Sequence, residues 1–307
     1  MTPREPMPPA LILMSQTTMT PSTPPDRLDA LLRRFSLRTS LFHAGPLCGI
    51  NDIGATAGVG HLHVIRAGEV EVLHGNLPPM TITEPTLLFY PRAVAHRFVS
   101  DAQAGADMVC ASTHFGGGDD NPLVRALPAV LALPLREHEA ISATLDLLVD
   151  EAFGGRCGGR IAVDRLFEVL LIQLLRELMQ QGRVQDGMLA GLAHPQLRHA
   201  LIAMHEAPQE AHGLESLAAR AHMSRTRFAQ AFRELVGQTP LDYLAAWRMA
   251  VAQDLLQRDH SLAQIAEQVG YGSAIAFNRA FKSRMGVAPG AWRRQLLADV
   301  AQSRQGH

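Results

Sequence analysis

Four histidines and one cysteine on short apolar runs are the groups that could do chemistry in the first half of this 307-residue chain. His61 and His63 stand two apart in His61-Leu-His-Val-Ile-Arg66. In a strand alternate side chains share a face, so both imidazoles point the same way. His96 closes Pro91-Arg-Ala-Val-Ala-His96, and the run Ala106–His114 offers Met108, Cys110, Ser112 and His114 on one face. Imidazole and thiolate are donors that zinc and its neighbours take. His63, His96 and Cys110 therefore form a candidate three-ligand site for a divalent metal such as Zn, with His61 or His114 as a fourth ligand. The alternative is a metal-free pocket lined by His61, His63, His96, Cys110 and His114, which a small polar effector or buried water must satisfy. The nearest carboxylate, Glu69, sits in Arg66-Ala-Gly-Glu69 and reads as part of a strand-ending turn. No other acid–base constellation is visible, which weighs against an enzyme.

A second set of residues lies in the last third, on an internal repeat. Leu214, Leu217 and Ala221 recur 48 residues later as Leu262, Ile265 and Val269. Ser224, Phe228, Phe232, Gly237 and Pro240 recur 49 residues later as Ser273, Phe277, Phe281, Gly286 and Pro289. Each copy reads as a short amphipathic helix, a tight turn, and a second helix begun by a Ser cap and stopped by Gly and Pro. That is the helix-turn-helix unit, whose second helix enters the DNA major groove with its N-terminal residues on base edges. Residues off the Phe face fit the task. In the first copy they are Arg225, Thr226, Arg227, Gln230 and Arg233, with Ser224 at the start. In the second they are Ala274, Ile275, Asn278, Arg279, Lys282 and Arg284, with Ser273 at the start. Arg, Asn and Gln make bidentate contacts to guanine and adenine, apolar side chains touch thymine methyls, and further Arg and Lys hold phosphates.

The elements that must position these groups differ along the chain. Residues 1–25, rich in Pro and Thr, read as a disordered tail. Residues 26–35 suggest one short amphipathic helix. From 37 to 115, short runs such as Val70–Leu73, Met80–Thr83 and Thr86–Tyr90 alternate with Gly, Pro and Asn turns, as in an antiparallel sandwich or small barrel. Two helices follow, at 136–152 and 161–181. The second is apolar around so much of its circumference that it must be covered on two sides, one of them a second subunit. Leu171 and Leu175 are the expected contacts there. Residues 183–193 read as a linker, 194–298 as almost wholly helical, and 299–307 as a tail.

Charge divides the same way. Residues 194–307 hold 13 Lys/Arg and 9 Asp/Glu, a net of +4, which leaves −5 for the rest of a chain whose total is −1. A basic back on an acidic front suits a polyanionic partner for the back. Hydrophobic residues make 47% and charged ones 19%, which excludes disorder along the whole length. No apolar run reaches about 18 residues and no signal-peptide cleavage site is evident, so the cytoplasm is the expected compartment. Three cysteines, Cys48, Cys110 and Cys157, are too scattered for a disulfide framework. Cys157, between Arg156 and Arg160 in a Gly-rich loop, is the one placed for a reactive thiol.

At Ser224–Pro240, Tyr243-Leu, Trp247–Ala250, Ile265–Tyr271, Phe277–Lys282, Gly286–Pro289 and Arg293, the chain resembles the AraC-type DNA-binding domain over about residues 194–295. The resemblance implies two helix-turn-helix units joined by a long helix, here about 240–257, that enter successive major grooves on one face of the DNA. At Leu62–Gly68, Leu87–His96, Val109-Cys110 and Asn121–Pro128, the front resembles the cupin-type sensor domain found ahead of such domains, over about 26–182. Its histidines resemble the two cupin metal motifs with the Glu displaced, and some members of that subgroup sense oxidants through cysteines. The expected fold class is α+β: a cupin-like β-barrel with a two-helix interface region, then an all-α double helix-turn-helix domain. The expected function is a sequence-specific transcription regulator. Its expected partners are double-stranded promoter DNA, an unknown small-molecule effector, a second copy of itself and, for an activator, RNA polymerase. A cupin metalloenzyme fused to a DNA-binding domain is the alternative.

Overall fold

Strands β3 and β8 are buried on both faces, and this explains the architecture. A computed structural model describes residues 26–182, 184–258 and 260–305; the expected tail 1–25 lies outside the described residues. Helix α1 (Asp29–Arg34) leads into β1 (Leu37–Leu47), β2 (Ile50–Ile53), β3 (Val59–Ala67), β4 (Val70–Leu73), β5 (Met80–Ile82), β6 (Thr86–Tyr90), β7 (His96–Ser100) and β8 (Ala106–Phe115). Short α2 (Pro122–Ala126) and β9 (Leu131–Pro134) complete the barrel, and α3 (Glu139–Phe153) and α4 (Gly159–Gln180) follow. One sheet runs β1-β8-β3-β6-β9 and the other β2-β7-β4-β5, with antiparallel pairing throughout.

Alternation assigns each face. Ile65, Leu88, Tyr90, Met108 and Cys110 join Val70, Val72, Ile82 and Phe98 in a core between the sheets. Leu62, Val64, Leu87, Phe89, Val109 and Ala111 point the other way, into a second core shared with the helices. A strand covered on both faces loses the polar-out alternation of a half-exposed sheet. This is why β3 is apolar at almost every position except its two histidines.

Helix α4 packs on α3, on β1 and on α5 (Gly187–Ala193). Asp164 ties it to the barrel, its carboxylate accepting from Leu41 N at 2.7 Å and its carbonyl from the Thr39 hydroxyl. The expected outward face is thereby corrected. Leu171 and Leu175 are each 1% exposed and belong to the chain's own core. The large apolar residues that α4 leaves exposed are Ile161 and Val169. The expected linker 183–193 is corrected as well, because α5 occupies most of it and buries Met188, Leu189 and Leu192. Its small apolar composition suits packing against α6 (Leu197–Glu206) and α8 (Arg225–Val236) as well as it suits a linker.

The helical part continues with α7 (Leu214–Arg220) before α8, then α9 (Pro240–Leu256), α10 (Leu262–Gln268), α11 (Ala274–Met285) and α12 (Pro289–Gln305). The last of these runs on into the stretch expected as a tail. Gly237 and Gly286 stop α8 and α11 with φ of 84° and 77°, a conformation open to glycine at little cost. Thr239 then caps α9, with Pro240 at its first turn.

Candidate functional site

The second helix of each pair carries the candidate DNA-reading residues. Phe228 and Phe232 of α8, and Phe277 and Phe281 of α11, are fully buried and pack in pairs with centroids 5.6 Å apart and planes inclined at 59° and 62°. Anchoring two residues one turn apart turns the rest of each helix outward. Arg225, Thr226, Arg227, Gln230 and Arg233 are all exposed, and so are Ile275, Asn278, Arg279 and Lys282. Ala274 is half-buried. Ser224 and Ser273 serve as helix caps, their hydroxyls accepting from Arg227 N and Ala276 N at 3.4 and 3.1 Å. Gln230 donates its amide to the Glu234 carboxylate at 2.9 Å. Ile275 is 69% exposed, a large apolar side chain left in solvent at the start of α11. Arg284 stands apart from the set: it donates to the Asp242 carbonyl at 3.1 Å and lines a cleft behind the helices. It lies in the last turn of α11, far from the N-terminal turn where base edges are met.

Between the two pairs, α9 acts as a spacer with many buried residues. Arg248 projects from it to donate to the Pro208 and Glu210 carbonyls at 2.8 and 2.9 Å, and its guanidinium lies over the Tyr271 ring. One side chain thus ties the loop before α7 to the turn before α11.

The barrel gathers four of the expected pocket residues, His61, His63, His96 and Cys110, and adds two. His61, His63 and His96 lie between the sheets, with ring centroids 5.0 to 6.0 Å apart. His96 Nδ1 is 2.8 Å from the Val94 carbonyl, which can only accept, so Nδ1 carries the proton. Burial drives the His96 pKa down to about 4, so the ring is neutral and its Nε2 is an acceptor. His63 Nε2–H therefore donates to it at 3.0 Å. The His63 Nδ1 that remains is a buried lone pair without a partner, and His61 Nδ1 is also buried without a hydrogen-bond partner among the described residues. Burial first, and the neighbouring imidazoles second, hold His63 well below the usual histidine range.

His74 and Tyr90 complete the cluster. His74 Nε2–H donates to the Pro78 carbonyl at 2.6 Å, so its Nδ1 accepts from the Tyr90 hydroxyl at 2.8 Å. Tyr90 stacks on His96 at 4.1 Å. Sequence reasoning missed both, although His74 continues the inward alternation of Val70 and Val72, and Tyr90 that of Thr86 and Leu88. His74 and His96 line a cavity of about 410 Å³ at one end of the barrel, beside the Arg97–Asp52 ion pair.

The metal assignment does not fit this geometry. Among the described residues no group of three or more His, Cys, Asp or Glu is arranged to hold a metal ion. The two nitrogens that would face a metal are hydrogen-bonded to each other. Cys110 sits across from His63 in the β3–β8 register, and burial pushes its thiol up. His114 is exposed near the end of β8, outside the buried cluster. Cys157 is exposed in its loop.

Comparison with known proteins agrees with both halves. The Cupin family profile matches residues 26–180, and a profile for a helix-turn-helix domain matches 217–295. The HTH-type transcriptional regulator AlkR of Acinetobacter baylyi is 34% identical over 184 residues, 57% of this chain and 59% of that one. An uncharacterized HTH-type transcriptional regulator of Haemophilus influenzae is 30% identical over 78% of this chain and 88% of its own. The RCS-specific HTH-type transcriptional activator RclR of Escherichia coli is 29% identical over 88% of this chain and 98% of its own. The class is therefore a DNA-binding transcriptional regulator, and the relatives are regulators and not enzymes. Within it, the chain belongs to the AraC-type family with an N-terminal cupin domain.

Proposed function

We propose that the chain reads promoter DNA with α8 and α11 and that its barrel binds a small polar effector. The observation that carries the first part is the pair of Phe-anchored helices, each offering exposed hydrogen-bonding side chains from its first turns. Arg227 and Gln230 read bases in one groove, Ile275 and Asn278 in the next, and Arg225, Thr226, Arg233, Arg279 and Lys282 hold phosphate or neighbouring bases. Ser224 and Ser273 cap the helices and present backbone amides there. The effector reading rests on the buried, unpartnered Nδ1 atoms of His61 and His63, the latter an acceptor, and on the cavity that reaches His74 and His96. A ligand that donates hydrogen bonds satisfies neutral imidazoles; a metal is not required.

The working unit is a homodimer that uses the exposed Ile161 and Val169 of α4, in the cytoplasm where promoter DNA is reached; RNA polymerase is a further partner only in the case of an activator. Among the described residues no helix is long and apolar enough to cross a membrane. The test is sedimentation and promoter binding of the full chain. Ile161→Glu with Val169→Glu is expected to give monomers that still fold. A wild-type chain that sediments as a monomer at tens of micromolar contradicts the dimer.

A further inference from the structure

Arg248, half-buried in the middle of α9, touches both DNA-reading units. Its Nε–H and Nη2–H donate to the Pro208 and Glu210 carbonyls, in the loop that opens the first unit. Its guanidinium carbon lies 5.9 Å from the centre of the Tyr271 ring, in the turn of the second unit, within cation–π reach. Gln209 stands between the two accepting carbonyls, and Gly270 packs directly onto it. A Cβ on Gly270 would come within 2.9 Å of both Gln209 Cα and O. Only a residue without a side chain lets the two backbones approach so closely. The guanidinium fork and the glycine contact therefore mark one joint, where the loop of one unit meets the turn of the other.

Both sides of the joint are braced. In the loop, the Ala207 carbonyl accepts from Glu210 N at 3.0 Å and from His212 Nε2–H at 2.8 Å. The Glu210 carboxylate pairs with Arg220 of α7 at 3.5 Å. In the turn, Tyr271 N donates to the Ala266 carbonyl at 2.8 Å. The Tyr271 ring meets Phe277, one of the two anchors of α11, with centroids 6.0 Å apart. The position of Arg248 thus reaches α11 through Tyr271 and Phe277.

Helix α9 alone leaves the angle between the units open, because each hangs from it by a short connection, 237–239 before it and 257–261 after it. On B-DNA one base pair is about 3.4 Å of rise and about 36° of turn, so a rotation of that size carries α11 to the next base step.

We propose that Arg248 is a positioning residue that sets the spacing between the two half-sites. It holds α11 at one distance and angle from α8, so that the chain accepts one spacer length. The proposal rests on the reading of α8 and α11 as the base-reading helices. Arginine suits the task because its planar fork supplies two donors and a stacking face together, whereas lysine keeps the charge without the fork.

The test measures binding of the full chain to the duplex it selects, with the spacer between the halves kept, shortened or lengthened by one base pair. The wild-type chain is expected to lose about tenfold or more in affinity at either altered spacing, and Arg248→Ala less than about threefold, with base preference retained in each half. Should Arg248→Ala fail to fold, Arg248→Lys, which keeps the charge and the aliphatic stem, gives the same comparison. A merely structural role lowers affinity by one factor at all three spacings, and that result would overturn the proposal. So would a wild-type chain indifferent to spacing. Base preference in each half is read from the same duplexes, so the proposal can fail while the base-reading assignment stands. A chain that selects no sequence overturns both.

Discussion

The ring of Phe35, just after α1, meets Trp247 of α9 edge-on, with centroids 5.5 Å apart and planes at 78°. This contact fastens the sensor domain to the helix between the two DNA-reading units. Leu28, Leu31 and Phe35 are all nearly fully buried beside it. Arg258 adds a hydrogen bond to the Arg34 carbonyl, and Gln253 one to Asp120. An edge-to-face aromatic pair contributes roughly 0.5–1.5 kcal/mol beyond its buried area, so this one is a main part of the join. Phe35→Ala is expected to cost about 3–5 kcal/mol of stability in the full chain. It is also expected to remove the effector response of a promoter reporter while DNA binding persists. Unchanged denaturant midpoints would show that the ring is not part of the join.

Much of this arrangement was legible in the sequence, and the reasons are local. The repeat placed α7, α8, α10 and α11 because caps, Phe pairs and Gly stops are written within a dozen residues. The barrel strands were legible from alternation and turns. Helix α5 was not, because a seven-residue run of Gly, Ala, Leu and Met carries no period, and only its packing on α6 and α8 makes it helical. The faces of α4 were misjudged for a related reason. An apolar circumference shows that a helix is covered, and here α3, β1 and α5 of the same chain supply the cover. One feature of the histidine cluster is in no spacing rule: His63 and His96 point at each other, 3.0 Å apart, and are hydrogen-bonded.

The buried histidines make stability depend on pH. Burial lowers His96 to about 4 and His205 to about 3, and lowers His61 and His63 in the same direction. An unfolded histidine titrates near 6.5, so below that the unfolded chain takes up protons that the fold refuses. Stability is full above about pH 6.5 and falls as pH drops toward 4, by up to roughly 1.4 kcal/mol per pH unit for each histidine. Urea midpoints at pH 7.5, 6 and 5 measure this. Equal midpoints at pH 7.5 and 5 would contradict the buried neutral cluster.

The two helix-turn-helix turns differ at one matching position. His222 holds a φ of 52° where the second unit has Gly270 at 77°. A left-handed backbone costs a side-chain-bearing residue roughly 1–2 kcal/mol, partly offset by glycine's own entropy, so His222→Gly is expected to gain up to about 1 kcal/mol. Gly270→Ala acts the other way. A Cβ there meets Arg248 Nη2 at 2.7 Å and Gln209 Cα and O at 2.9 Å, at a φ that alanine resists. A loss of about 1–3 kcal/mol is expected, together with weaker DNA binding, since Arg248 holds that turn. Thermal unfolding of both variants checks the pair, and equal shifts of one sign would refute the contrast.

The central claim is that α8 and α11 read bases in separate grooves, and binding of the full chain to a randomised duplex library tests it most directly. Phosphate contacts alone make binding fall roughly 10- to 1,000-fold between 50 and 200 mM salt, without sequence preference. Arg227→Ala and Gln230→Ala are expected to erase preference in one half of the selected site, and Asn278→Ala in the other. The halves are expected about 10 base pairs apart, with each lost contact costing about 1–3 kcal/mol. Substitutions that weaken every sequence equally, or a wild-type chain that selects no sequence, would contradict it.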